Sequence, residues 1–159
     1  MTTLREFAWG DADYMDFCRL RQDWLRAPLG LDLNDDNLDA EKTQRLFGVY
    51  EDDALIGGAA VLKHHDGSAQ LRQMIVVPNF QRHGCGRLLM QHIEAAMHEV
   101  AVDRMFLLAR LVAEDFYARC GYARVGDEFT HVTIPHVRME KTLQSRDGDM
   151  YVRSTTETR

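Results

Sequence analysis

Met74-Ile75-Val76-Val77-Pro78, followed closely by Gln81-Arg82-His83-Gly84-Cys85-Gly86-Arg87, is the stretch on which the fold turns. An apolar run ends at a proline, a loop with two close glycines follows, and Leu88 to Val100 then carries apolar residues at helical spacing. A strand, a glycine loop and a helix make an anion cradle. Glycine lets the backbone approach the ligand, and the first free N–H groups of the helix point at it. Arg82 and Arg87 add positive charge. The expected ligand is therefore phosphorylated.

Three phosphate-binding patterns compete. A nucleoside-triphosphate loop ends in Gly-Lys-Ser/Thr, which supplies a phosphate-binding lysine and a magnesium-binding hydroxyl. Here Gly86 is followed by Arg87 and Leu88, so that pattern fails. A dinucleotide fingerprint requires a third glycine where Leu89 stands. The third pattern fits: Gln81-Arg82-His83-Gly84-Cys85-Gly86 resembles the acyl-CoA signature (Q/R-x-x-G-x-G/A) of the GNAT acyltransferases. Leu71 to Pro78 is similar to the strand before that signature, and Asp115-Phe116-Tyr117-Ala118-Arg119-Cys120-Gly121-Tyr122 to the later FYxxxGF/Y element. The resemblance covers Leu46 to Leu143 and fades before it.

The resemblance implies an α/β (α+β) fold: a central, mixed, mostly antiparallel twisted sheet flanked by helices, with splayed strands at the acyl-CoA site. The backbone of Met74, Ile75, Val76 and Val77 would then hold the pantetheine and an oxyanion. Gln81, Arg82, His83, Gly84, Cys85, Gly86, Arg87 and Leu88 would hold the coenzyme A pyrophosphate, and Phe116 would pack or touch the coenzyme.

Composition sets outer bounds. The chain has 159 residues, enough for a single domain with one core. It is expected to occupy residues 1–143, with 144–159 a polar tail that alone reads as disordered. A formal net charge of −6 argues against nucleic-acid or anionic-membrane partners. No apolar run spans a bilayer, the N-terminus lacks a signal-peptide core, and Cys18, Cys85 and Cys120 form no disulfide framework, which together suit a reducing cytoplasm. A homodimer with a contribution from the tail is an open expectation.

Periodicity orders the elements. Leu4 to Ala8 reads as a strand, and Asp11 caps a helix carrying Tyr14, Phe17, Leu20 and Trp24 that should end near Ala27, before Pro28. That aromatic stripe is core or lines the acceptor site in part. Residues 32–41 read as an acidic loop. Leu46 to Glu51, Ala54 to Leu62 and Ala69 to Val77 form an antiparallel meander, with Gly57-Gly58 marking a bulge or close backbone approach. Leu88, Leu89, Ile93, Ala96, Met97 and Val100 give the next helix one apolar face. Arg104 to Ala109 follows as a strand expected to run parallel, then a short helix from Ala113 to Cys120, strands from Val125, and a last strand from Ile134 to Leu143.

Acyl transfer from a thioester to an amine needs an oxyanion donor, a base for the amine and an acid for the departing thiolate. Tyr117 aligns with the family tyrosine that often protonates the sulfur, and a phenol is protonated at neutral pH. Its alternative is packing beside Phe116. Glu128, His131 and His136 are the candidate bases. Gly126 to Met139 resembles a stretch of the ElaA/YjcF-like branch (G-x-x-F-x-E-x-G-I-P-H-x-x-M), with Phe129, Ile134, Pro135, His136 and Met139 matching. His131 stands in place of that Glu and Thr133 in place of that Gly. His136 is either active-site wall or a satisfied histidine at a strand start. Cys85, at a helix N-terminus between basic residues, is where a thiol pKa can fall; a small side chain filling the loop is the favoured reading over an acyl-cysteine. His64-His65 lacks metal-ligand spacing, so no metal is expected. Arg110 is a salt-bridge residue or an acceptor contact.

The resulting expectation is an N-acetyltransferase that moves acetyl from acetyl-CoA directly to a primary amine of a small molecule. A protein or peptide amine is the alternative acceptor, and a non-catalytic acyl-CoA-binding regulator or scaffold the alternative class. The acidic balance mildly favours a cationic acceptor.

Overall fold

The computed structural model describes residues 1–143; the polar tail lies outside the described residues. Seven strands form one sheet in the order β1-β2-β3-β4-β5-β7-β6. They are β1 (Thr2–Phe7), β2 (Arg45–Glu51), β3 (Ala54–Lys63), β4 (Ser68–Val76), β5 (Arg104–Arg110), β6 (Ala123–His131) and β7 (Ile134–Thr142). Every neighbouring pair is antiparallel except β4 and β5. That parallel step is the one made through a helix, as a crossover connection requires.

Helices cover both faces. Successive strand residues alternate between two apolar clusters: Phe47, Val61 and Val76 face one, and Leu46, Ala60 and Ile75 the other. The larger cluster receives α2 (Cys85–Glu99) through Leu89, Met90, Ile93 and Met97. The buried stripe differs from the expected one at its edges. Met90 is in it, whereas Leu88 and Val100 are 42% and 39% exposed, because both sit at the helix ends where the face turns away from the sheet. The smaller cluster receives α1 (Ala12–Arg21) through Tyr14 and Phe17. Asp11 caps α1, accepting from the Tyr14 N–H at 2.9 Å.

Regular α-helix ends at Arg21, earlier than expected. A π turn over Gln22–Arg26 follows, then a 3₁₀ turn over Ala27–Leu29. The Ala27 N–H closes the π turn on the Gln22 carbonyl, and Pro28, with no N–H to donate, ends the ladder. Residues 32–41, expected as a loop, hold 3₁₀ turns at Leu33–Asp35 and Leu38–Thr43; the Asp32 side chain starts the first by accepting from the Asn34 N–H. Glu41 from the second turn is buried against α1. It accepts two hydrogen bonds from Arg21, at 2.8 and 2.7 Å, and one from the Tyr14 hydroxyl at 2.7 Å.

Gly57 and Gly58 meet both expectations. A Cβ on Gly57 would lie 2.7 Å from the Ile75 carbonyl oxygen, and one on Gly58 2.9 Å from the Phe17 ring. Beside them the β3–β4 register shifts: Gly58 pairs with Ile75 but Ala60 with Arg72. The extra β4 residue puts Gln73 in the left-handed region at φ 57°.

Candidate active site

β4 and β5 are paired only from Ser68↔Arg104 to Leu71↔Leu107. Beyond that point β5 stays with β7 as far as Arg110↔His136, while β4 stays with β3 as far as Val76↔Gly57. The two strands therefore part, and among the described residues no ladder satisfies the β5-facing backbone groups of β4 after Leu71. Backbone groups held away from water need a partner, and a ligand with amide groups supplies one. A cleft of about 580 Å³ occupies the gap.

One end of the cleft is the glycine loop. Pro78–His83 forms a 3₁₀ turn, and Gly84 at φ 78° ends it and opens α2. A side chain at Gly84 would point into open space, whereas a Cβ on Gly86 would lie 3.0 Å from the Phe116 ring. The first intrahelical donor here is the Leu88 N–H, which bonds the Gly84 carbonyl at 3.0 Å, so the N–H groups of Cys85, Gly86 and Arg87 precede the ladder. Gln81 does not point at them. Its amide donates to the Val76 carbonyl at 2.8 Å and ties the loop to the end of β4.

The loop residues divide into two groups. Gln81 and Gly86 line the cleft with Met74, Ile75 and Val76. Arg82, His83, Gly84, Arg87 and Leu88 are exposed and do not line the cleft, and Val77 packs against the core with its N–H on the Ile56 carbonyl. Cys85 is turned away into the core at 3% exposure. Burial, reinforced by Glu51, pushes its thiol up rather than down, opposite to the effect that its place at a helix N-terminus allows.

α3 (Glu114–Arg119) brings Phe116 and Tyr117 to the middle of the cleft. The Tyr117 ring packs edge-on against Phe116 and Tyr122, with centroids 5.1 and 6.2 Å away. Burial raises its phenol well above the ordinary value, Cys120 adds to the rise, and Arg110 opposes it. The hydroxyl is thus protonated throughout the physiological range and is a proton donor.

The other end is built by distant segments. Trp24, Leu25 and Arg26 arrive from the π turn, Arg72 and Gln73 from the bulge, Arg110 from the end of β5, and His131, Val132 and His136 from the β6–β7 hairpin. His136 is 4% exposed, and its Nδ1 lies 2.9 Å from the Ile134 carbonyl. A carbonyl only accepts, so Nδ1 carries a proton, and in the neutral ring the lone pair is on Nε2. The His131 ring stands 5.0 Å from that of His136. Burial, then His136, Arg26 and Arg72, hold its imidazole below the ordinary value.

Glu128 is placed elsewhere. It lies on the outer strand β6, exposed, 3.8 Å from Arg124, and does not line the cleft. The structure thus brings Tyr117, His131 and His136 together and separates Glu128 from them, because the β6–β7 register shifts between Val125 and Phe129 and the strand bows outward. Arg26, Arg72 and Gln73 escape a reading of local motifs: only tertiary pairing puts them beside β5. Among the described residues no group of three or more His, Cys, Asp or Glu is arranged to hold a metal, and no helix is long and apolar enough to cross a membrane.

An open mixed sheet, a parting between two parallel strands and a glycine-opened helix at its end are the arrangement expected of an acyltransferase. The family model of the acetyltransferase (GNAT) domain matches residues 32–143, and the chain belongs to that family. It is 26% identical over 103 residues to the uncharacterised protein YyaT of Bacillus subtilis, covering 65% of this chain and 68% of YyaT. Escherichia coli ElaA superposes with a TM-score of 0.75 at 18% identity, over 89% of this chain and 99% of ElaA. An aminoglycoside 6'-N-acetyltransferase in complex with coenzyme A superposes at 0.74 with 15% identity, over 91% of this chain and 98% of that one.

Proposed function

We propose that the protein transfers acetyl from acetyl-CoA directly to the primary amine of a small molecule. The observation that carries this is the parting of β4 from β5 beyond Leu71 and Leu107, with the α2 N-terminus at one end of the gap and Tyr117 and His136 on its walls. Acetyl-CoA supplies the thioester. The N–H groups of Cys85, Gly86 and Arg87 and the charges of Arg82 and Arg87 suit its diphosphate, and the unpaired edge of β4 suits the amides of its pantetheine arm.

The residues divide the chemistry. The His136 imidazole, when neutral, offers Nε2 to the proton that the amine releases as its nitrogen bonds to the acetyl carbonyl carbon. His131 beside it is the second acceptor. Backbone N–H groups of β4 stabilise the negative charge that develops on the carbonyl oxygen. As the C–S bond breaks, the Tyr117 hydroxyl gives its proton to the sulfur. The direct route is favoured over an acyl-cysteine because Cys85 lies in the core with its thiol pKa raised, outside the cleft lining.

The test is thiol release from acetyl-CoA with a panel of amino acids, amino sugars, polyamines, aminoglycosides and short peptides, with products identified by mass. A stoichiometric acetylated amine is expected. Binding of acetyl-CoA without any acetylated product, across small amines and peptides alike, contradicts the proposal.

A further inference from the structure

We infer that the acceptor is an amine carrying an anionic group, a carboxylate or a phosphate, and that Arg110 is the residue that recognises it. The inference deepens the reading above and rests on it. It reverses the preference for a cationic acceptor that the net charge of −6 suggests.

The cleft wall is one-sided. Among the described residues it carries Arg26, Arg72, Arg110 and Arg119 with His131 and His136, and no aspartate or glutamate. Arg119 belongs to the coenzyme end, where it also borders a smaller depression with Arg87. The other three guanidiniums gather at the opposite end. Arg72 stands four residues before Val76 on β4, so even with the bulge at Gln73 about 10 Å separates it from the end of the strand that leads into the glycine loop. The diphosphate held at that loop does not neutralise charges so far along the cleft.

Their internal partners are unequal. Arg26 is 6% exposed; its Nη2 donates to Asp36 at 2.8 Å and to the Gln73 side chain at 3.0 Å, so its charge is matched and its position fixed by the bulge. The Arg110 guanidinium is half-buried and, among the described residues, donates only to the Leu25 carbonyl, at 2.9 Å. Among the described residues no carboxylate pairs with Arg110 or with Arg72. A desolvated guanidinium without a counter-ion is costly to the fold, and an anionic ligand repays that cost. Burial, then the neighbouring Arg26, destabilises the Arg110 charge. The planar fork suits bidentate carboxylate or phosphate recognition. Arg110 faces His136 across the β5–β7 ladder, and opposed residues project from the same face. An acceptor anchored by its anion on Arg110 therefore presents its amine beside the proposed base.

The experiment uses acceptor pairs that differ chiefly in the anion, with rates compared per free amine: an α-amino acid against its amide, and phosphoethanolamine against ethanolamine. Steady-state transfer is measured for each, with acetyl-CoA affinity followed by calorimetry. At least one charged member is expected to exceed its neutral counterpart about 10-fold or more in kcat/KM, mainly through KM. The pair that shows it tells carboxylate from phosphate. Arg110→Gln should shrink that ratio about 10-fold or more, Arg110→Lys should keep part of it, and acetyl-CoA affinity should stay within a few-fold in both. Equal use of charged and neutral members overturns the inference, as does preference for a polyamine over both pairs. So does a uniform fall in kcat for all acceptors in Arg110→Gln, which would mark Arg110 as an oxyanion contact. Loss of acetyl-CoA binding in the unaltered protein would instead strike at the acetyltransferase reading itself.

Discussion

Gly84→Glu is the sharpest perturbation of the proposed coenzyme site, because the structure separates its effects. Gly84 sits at φ 78°, where a side chain costs about 1–2 kcal/mol. A Cβ there meets nothing within 4 Å, so no clash adds to that strain and the fold should persist. The added carboxylate would stand at the N-terminus of α2, competing for the donors that suit a diphosphate. Two like unit charges about 5 Å apart repel by ~0.8 kcal/mol in bulk water and by ~3 kcal/mol at an effective dielectric of 20. Against two phosphate charges this amounts to a loss of acetyl-CoA affinity from about 15-fold upward, exceeding 100-fold where water is partly excluded. Gly84→Ala is the control, with the same strain and no charge. Calorimetric titration with acetyl-CoA, beside urea unfolding, should show both variants destabilised by about 1–2 kcal/mol but only Gly84→Glu losing affinity by that factor. Wild-type affinity in Gly84→Glu would refute the cradle. Equal losses in both variants would mean that backbone strain, not charge, is at work.

Other expectations follow from the remaining walls. Tyr117→Phe should lower kcat by about 10–100-fold with little change in acetyl-CoA affinity, and unchanged turnover would reduce Tyr117 to packing. His136→Gln should lower kcat by about 100-fold or more at neutral pH, whereas Glu128→Gln should leave it within about two-fold; the reverse order would restore Glu128 as the base. NMR titration of the His131 ring should give a midpoint below the ~6.5 of free imidazole, so that its neutral form persists to lower pH, and Arg26→Gln or Arg72→Gln should raise it; a midpoint above ~6.5 would contradict the cationic surroundings. Glu41→Ala strands the buried Arg21 guanidinium and should cost about 3–5 kcal/mol in urea unfolding; a loss under ~1 kcal/mol would show that Arg21 finds another partner.

Much of the scaffold was legible because it is written locally. Alternating apolar residues mark the meander, and Gly84 and Gly86 after an apolar run mark the cradle, since only that order aims a helix N-terminus at the end of a strand. The parallel placement of β5 followed from the helix that precedes it. The other end of the site was less legible. The bulge at Gln73 is set by register against β3, and nothing in Leu71-Arg72-Gln73-Met74 announces it. The π turn that presents Trp24, Leu25 and Arg26 interrupts a segment whose apolar spacing reads as plain helix. Arg110 meets Leu25 across 85 residues of sequence. The arginine-rich end of the cleft is invisible in a net charge of −6, because the described acidic residues lie outside the cleft wall. Glu128 was drawn in by its neighbourhood in sequence, and the register shift in β6 takes it away.

A crystal structure of the protein with coenzyme A tests the central claim most directly. The pantetheine arm should lie between β4 and β5, bonded to backbone groups between Arg72 and Val76, with the diphosphate on the N–H groups of Cys85, Gly86 and Arg87 and the sulfur beside Tyr117. Coenzyme bound elsewhere, or β4 and β5 paired along their whole length, would contradict it.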